Sequence, residues 1–217
     1  MTPDVEQHRL LQNIALTGAF SRGWSAAGAR WSVRLVGWRL VDGSLHKAPA
    51  GGEGTGPNPT DRGKLGWKWS ILTDRHGIPI GWTMDGANRN DSILLAPTLD
   101  NAAERGLLGD VETIWLDRGY DSGATRERLA ERKLDDAVIA KKRTRGSPEP
   151  KKNQPMGLRW PVERTNSWLS NFGQLRRNTD RKTVHRLAQL ALAVAFLLTA
   201  KLIDWRNRWS PDLSPIR

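Results

Sequence analysis

One hairpin near the middle of the chain restricts the fold more than any other feature. Trp67, Trp69 and Ile71 alternate with Lys68 and Ser70 along one strand, the two-residue period of β structure. Asp74-Arg75-His76-Gly77 then reads as a tight turn with glycine at its last position, and Ile78 to Met84 returns as a second strand. Pro79 cannot donate a ladder hydrogen bond, so this second strand is predicted at or near a sheet edge. Upstream, Trp38 to Asp42 has the length and composition of a strand, closed by the turn signal Gly43-Ser44, which puts Asp42 at its carboxyl end.

Downstream, helices and strands alternate. Ile93 to Gly106 reads as a helix with Asp91 or Ser92 as its N-cap and with Leu94, Leu95, Leu99, Ala102 and Ala103 facing inward. Glu112 to Asp117 is the next strand, with Asp117 at its carboxyl end. Asp121 looks like the cap of a helix over roughly Ser122 to Lys133, and Asp136 to Ala140 is a further short strand. Pro161 suits the first position of another helix, with Leu158, Val162, Thr165, Leu169 and Phe172 as its buried stripe. Thr183 to about Trp205 is a final helix, apolar on most sides, expected to be buried or packed against a partner subunit.

Three strands, helix, strand, helix, strand and then helices match a ribonuclease H-like α/β layout. That layout is a mixed sheet flanked by helices, here with an additional C-terminal apolar helix. Residues 36–217 form this domain, and residues 1–35 form a short arm, partly helical over Val5 to Thr17. In this layout the first and fourth strands are neighbours, so Asp42 and Asp117 would converge. The helix start at Glu163 can pack over the same edge. The plain alternative for Glu163 is a first-turn glutamate favoured by the helix dipole and paired with Arg159 or Arg164.

Composition narrows the partner. Among 217 residues, 34 Lys and Arg stand against 23 Asp and Glu, a formal charge of +11. Such a balance favours a polyanion, with nucleic acid ahead of an anionic membrane surface. There is no cysteine, so disulfides, thiolate metal sites and Cys nucleophiles are excluded. The N-terminus has no apolar signal segment, and the run from Leu190 to Ala200, about 11 residues, is short for a bilayer core of about 30 Å. A soluble cytoplasmic protein is expected. Ala48 to Gly66 is a polar loop with six glycines and three prolines. Lys47, Arg62, Lys64 and Lys68 stand in or beside it, so it suits contact with a phosphodiester backbone, unless it is only a connector. Lys141 to Gln154 is a second basic loop, containing Lys141 and Lys142, and Arg176 and Arg177 lie in a third basic stretch.

Three carboxylates around one point repel each other unless a cation fills the space. Oxygen-only ligation suits Mg²⁺ or Mn²⁺. Two such ions can bind both sides of a scissile phosphodiester, so no protein nucleophile is required. Composition alone does not select Asp42, Asp117 and Glu163 among the acids. Asp74, Asp85, Asp91 and Asp121 compete, although Asp74 falls in a turn and Asp91 and Asp121 also fit as caps. His46 reads as a loop hydrogen-bonding residue rather than a ligand.

Several stretches in order carry a family resemblance. They are Val41-Asp42-Gly43-Ser44, Lys47-Ala48-Pro49, Gly51-Gly52-Glu53, Asp61-Arg62-Gly63-Lys64, Leu116-Asp117-Arg118-Gly119-Tyr120-Asp121-Ser122 and Val162-Glu163-Arg164-Thr165-Asn166-Ser167-Trp168-Leu169. Together they resemble the DDE transposases of bacterial insertion sequences, nearest to the insertion sequence five family within the wider four/five group. The resemblance implies a ribonuclease H-like core with two Mg²⁺ or Mn²⁺ ions held by Asp42, Asp117 and Glu163. It implies nicking at element ends and strand transfer of the 3′-hydroxyl into target DNA.

The implied partner is double-stranded DNA, both element ends and target, in the bacterial nucleoid. A homodimer or larger assembly on DNA is implied, with no membrane. Of the group's signature Tyr-x2-Arg-x3-Glu-x6-Lys, Arg159 and Glu163 fit, while Met156 and Ser170 depart. Arg164, Arg176 or Arg177 are the stand-ins for the missing contacts. The full DNA-binding set expected is Lys47, Arg62, Lys64, Lys141, Lys142, Arg159, Arg164, Arg176 and Arg177. The family often begins with a helical region that binds DNA ends, and the short stretch before Asp42 suggests a truncated copy or the downstream part of a frameshifted pair. The alternatives are a ribonuclease H-like nuclease without strand transfer, or a catalytically impaired fragment that only binds DNA.

Overall fold

A computed structural model of the chain describes residues 38–108, 111–140 and 160–209. The expected N-terminal arm, Lys141, Lys142, Met156, Leu158 and Arg159 lie outside these residues. The sheet has six strands. β3 (Leu65–Asp74) runs through its middle and pairs antiparallel with β1 (Trp38–Lys47). On its other side β3 pairs antiparallel with β4 (Pro79–Gly86), and its first residues pair with the short β2 (Gly56–Pro57). β1 pairs in parallel with β5 (Thr113–Leu116), which pairs in parallel with β6 (Ala137–Ile139). Among the described residues β4 has a partner strand on one side only, which accommodates Pro79 at its first position.

Alternation on β3 builds the core on both faces. Trp67, Trp69 and Ile71 point to one side, where α3 (Trp160–Ser170), α4 (Gly173–Arg176) and α5 (Thr183–Trp209) supply Leu169, Leu175, Leu190, Val194 and Leu198. Leu72 points to the other side with Val41, Ile80 and Ile114, under α1 (Asp91–Glu104) and α2 (Gly123–Ala130), which supply Leu95, Leu99, Ala102 and Leu129. Helices on both faces of a mixed sheet fit the expected ribonuclease H-like layout. The C-terminal apolar helix is present, and it is longer than expected. Its stretch Thr183–Asp204 is long and apolar enough by composition to cross a membrane, with mean hydropathy 1.8, which corrects the shorter reading taken from the uninterrupted run. In the fold, one side of α5 closes the tryptophan core, while Leu192, Phe196 and Ile203 on it are exposed.

Several boundaries differ from expectation. β1 does not end at Gly43-Ser44 but continues to Lys47, held along its length by β3. Asp42 is therefore within β1, though beyond the part that pairs with β5. The stretch from Ala48 to Gly66 is not structureless. It contains β2, Ala48 N–H donates to the Leu65 carbonyl (3.0 Å), and Asn58 N–H donates to that of Lys64 (2.8 Å). The buried Arg186 of α5 donates to the carbonyls of Gly51 (2.6 Å) and Glu53 and pins this stretch. The N-cap of α1 is Asn90, whose side chain accepts from Ser92 N–H, and that of α2 is Ser122. Ala103 and Phe172 are exposed rather than inward-facing.

Candidate active site

Asp42 lies on the α3 side of the sheet. Its antiparallel partner Ile71 belongs to the core on that side. The parallel register between β1 and β5 runs to Leu40 opposite Trp115. Two residues further along both strands come Asp42 and Asp117. The backbone of Asp117 is still extended (φ −70°, ψ 162°), so the alternation of side chains carries it to the same face as Asp42. Asp117 Oδ1 accepts from Arg118 N–H (2.6 Å) and caps the short 3₁₀ turn Arg118–Tyr120. Tyr120 is buried, and its pKa is pushed up by that burial and then by the negative charges of Asp91, Asp42 and Asp117. One phenol thus senses three carboxylates. Its hydroxyl makes no hydrogen bond of good geometry, although Ser70 lies near enough to oppose part of the shift.

α3, which carries Glu163, packs against β1 and β3. Its start is fixed on the β3–β4 turn, where Thr165 Oγ1 donates to the Gly77 carbonyl (2.6 Å) and Arg164 Nη2 donates to that of His76 (2.8 Å). One turn past Glu163, Asn166 is buried and joins helix to sheet. Its Nδ2 donates to Asp42 Oδ2 (3.2 Å), and its Oδ1 accepts from Trp69 Nε1 (2.8 Å). Asn166 was not singled out from the sequence. The signal was there in its place three residues after Glu163, on the neighbouring helix position. Glu163 itself is exposed in the first turn. Among the described residues, no three His, Asp or Glu side chains are placed to hold one metal ion. The donor set is nonetheless all hard oxygen, the kind that Mg²⁺ and Mn²⁺ take.

The competing acids have other partners. Asp74 Oδ1 accepts from His76 and Ile78 N–H (2.8 and 2.9 Å), Asp85 pairs with Arg89, and Asp121 pairs with Arg126. His46 is not in a loop. It sits in β1, buried, with its ring stacked on Trp69 at 3.6 Å, and burial lowers its pKa to about 3.

Beside the carboxyl half of β1 a groove of about 1020 Å³ opens, lined by Lys47, Asn58, Thr60, Lys64, Arg176 and Arg177. Four of the cations expected to meet DNA thus share one wall system, and Arg62 is exposed on the same loop. Arg164 is half-buried and stacks on Trp160 (4.0 Å) and Trp168 (4.7 Å), and it does not line this groove. Lys68 is a correction, since it is buried on the opposite face with its Nζ on Asp91 Oδ1 (2.9 Å).

Residues 38–199 match the family described as the transposase DDE domain. Over 136 residues the chain is 41% identical to a Burkholderia cepacia protein assigned as the transposase for insertion sequence element IS402. The aligned part covers 59% of this chain and 60% of that relative. The family match contains Asp42, Asp117, Glu163 and every strand of the sheet, and the chain therefore belongs to the transposase DDE domain family.

Proposed function

We propose that this chain is a metal-dependent DNA transposase that nicks DNA at element ends and transfers the freed 3′-hydroxyl into target DNA. Asp42, Asp117 and Glu163 are its catalytic acids. The observation that carries this reading is the placement of Asp42 and Asp117 on one face at adjacent strand positions, with the Glu163 helix tied to Asp42 through Asn166. Divalent metal dependence goes with the family, and two Mg²⁺ or Mn²⁺ ions would activate the attacking oxygen and neutralise charge developing at phosphorus. Asn166 orients the Asp42 carboxylate. Lys47, Lys64, Arg176 and Arg177 hold the phosphate backbone along the groove and supply affinity without reading sequence. Because two ends are joined, at least two copies act together on DNA, in the bacterial cytoplasm. Assignment to the insertion sequence five family belongs to the same proposal.

The test uses labelled duplexes taken from the DNA that flanks the reading frame, incubated with the full chain and Mg²⁺. Nicked and joined products are expected. Cleavage without joining would leave a nuclease, and binding without cleavage would leave a DNA-binding protein. Asp117→Asn should abolish nicking and keep DNA affinity; an unchanged rate would remove Asp117 from the site.

A further inference from the structure

Gly43 follows Asp42 within β1, where a residue without a side chain weakens a strand. Its backbone is not in the left-handed region, so conformation is not the reason for glycine. Space is the reason. A Cβ at this position would lie 2.6 Å from Asp91 Oδ1 and 3.2 Å from Asp91 Cγ. The Asp91 carboxylate rests on the β1 backbone from the α1 side, directly behind the residue that presents Asp42 on the other side.

Lys68 holds it there, with Nζ 2.9 Å from Asp91 Oδ1 and only 7% of its side chain exposed. Lys68 stands two residues before Ser70, the β3 partner of Gly43. Asp91 is not needed as the helix cap, because Asn90 fills that role. Nor is the pair a strong source of stability, since the Asp91 side chain is 43% exposed and its partner Lys68 must give up water to reach it. What the pair does specify is position: β1 at residues 42 and 43 is clamped between Asn166 on one face and Asp91 on the other.

We propose that Lys68 and Asp91 are positioning residues for Asp42. They fix the β1 backbone at Gly43 and so set the direction in which the Asp42 carboxylate leaves the sheet. The inference rests on the reading of Asp42 as a cation ligand.

The experiment measures Mn²⁺ binding to the full chain without DNA, by the loss of the free-ion paramagnetic resonance signal, beside thermal unfolding of each variant. Lys68→Met and Asp91→Ala should weaken Mn²⁺ binding about tenfold, as loss of an outer-shell partner does, and Lys68→Arg should recover most of it. Gly43→Ala should weaken binding similarly, and adding Asp91→Ala to it should cost little more, because both changes act on one slot. Asp91→Asn stands in for the alanine variant if that does not fold.

Unchanged Mn²⁺ affinity in folded Lys68→Met and Asp91→Ala would overturn the proposal, whatever their unfolding temperatures. Complete loss in Asp91→Ala, equal to that of Asp42→Asn, would make Asp91 a ligand and overturn it as well. If the wild-type chain binds no Mn²⁺, or Asp42→Asn binds it equally well, the reading of the site itself has failed and the inference falls with it.

Discussion

Asn166 has two obligations at once, and both are expensive to break. Its Oδ1 is the acceptor for the buried Trp69 Nε1, and its Nδ2 is a donor to Asp42. Replacing it with alanine strands an indole N–H in the core, which costs about 1–3 kcal/mol. Denaturant unfolding of Asn166→Ala should show that loss, and unaltered stability would mean the bond to Trp69 contributes nothing. His46 gives a prediction with a pH signature. Burial lowers its pKa to about 3 in the fold, against about 6.5 when unfolded. Between those values the unfolded chain binds a proton that the native chain does not, so stability is retained above pH 6.5 and falls as pH drops below it. The slope approaches about 1.4 kcal/mol per pH unit. Unfolding followed from pH 7 to pH 4.5 should lose this slope in His46→Gln. An equal slope in both proteins would show that His46 is not the group that titrates.

At the scale of elements, the glycine-rich connection between β1 and β3 separates two kinds of glycine. Gly63 has φ 73° and open space around its missing Cβ, whereas Gly52 has φ 108° and a Cβ there would lie 2.3 Å from the Arg181 carbonyl oxygen. Gly63→Ala should therefore cost only the left-handed penalty, about 1–2 kcal/mol. Gly52→Ala must also push a backbone aside and should cost at least about 3 kcal/mol. Equal unfolding midpoints for the two variants would contradict the contact with Arg181.

The hairpin that follows this connection shows where sequence reading succeeds. The Trp67–Ile71 alternation, the Asp74–Gly77 turn and the edge position signalled by Pro79 are local patterns, and each is realised in β3 and β4. Gly43 was read as a strand end because glycine beside serine is a local turn signal, while its cause, Asp91, is remote in the chain. Caps slipped to Asn90 and Ser122 because neighbouring Asp, Asn and Ser residues are all competent acceptors and only geometry chooses among them. The adjacency of Asp42 and Asp117 depends on the β1–β5 register, which no single segment encodes. The ribonuclease H-like order of elements made it legible, whereas the Asn166 link between helix and sheet was not.

Over the whole molecule, charge is the property through which the proposed contact with DNA can be tested. The formal charge of +11 attracts any polyanion, yet affinity measured at one salt concentration cannot tell a diffuse field from a built groove. The salt dependence can. Each phosphate neutralised by a lysine or arginine steepens the slope of log K against log salt by about 0.9. Lys64, Arg176 and Arg177 line the groove beside β1, so replacing all three with glutamine should flatten the slope by about 2–3. Arg126 and Lys133 lie on or just after α2, across the sheet, and do not line that groove. Replacing these two with glutamine removes two charges, against three in the groove variant, but should leave the slope within about 0.5 of the wild-type value rather than flatten it by nearly 2. The comparison is made by titrating a labelled duplex at several salt concentrations with Mg²⁺ omitted, so that cleavage does not intrude. Equal flattening in both variants would mean that DNA responds to total charge alone, and the groove beside Asp42 would lose its claim to orient the scissile strand.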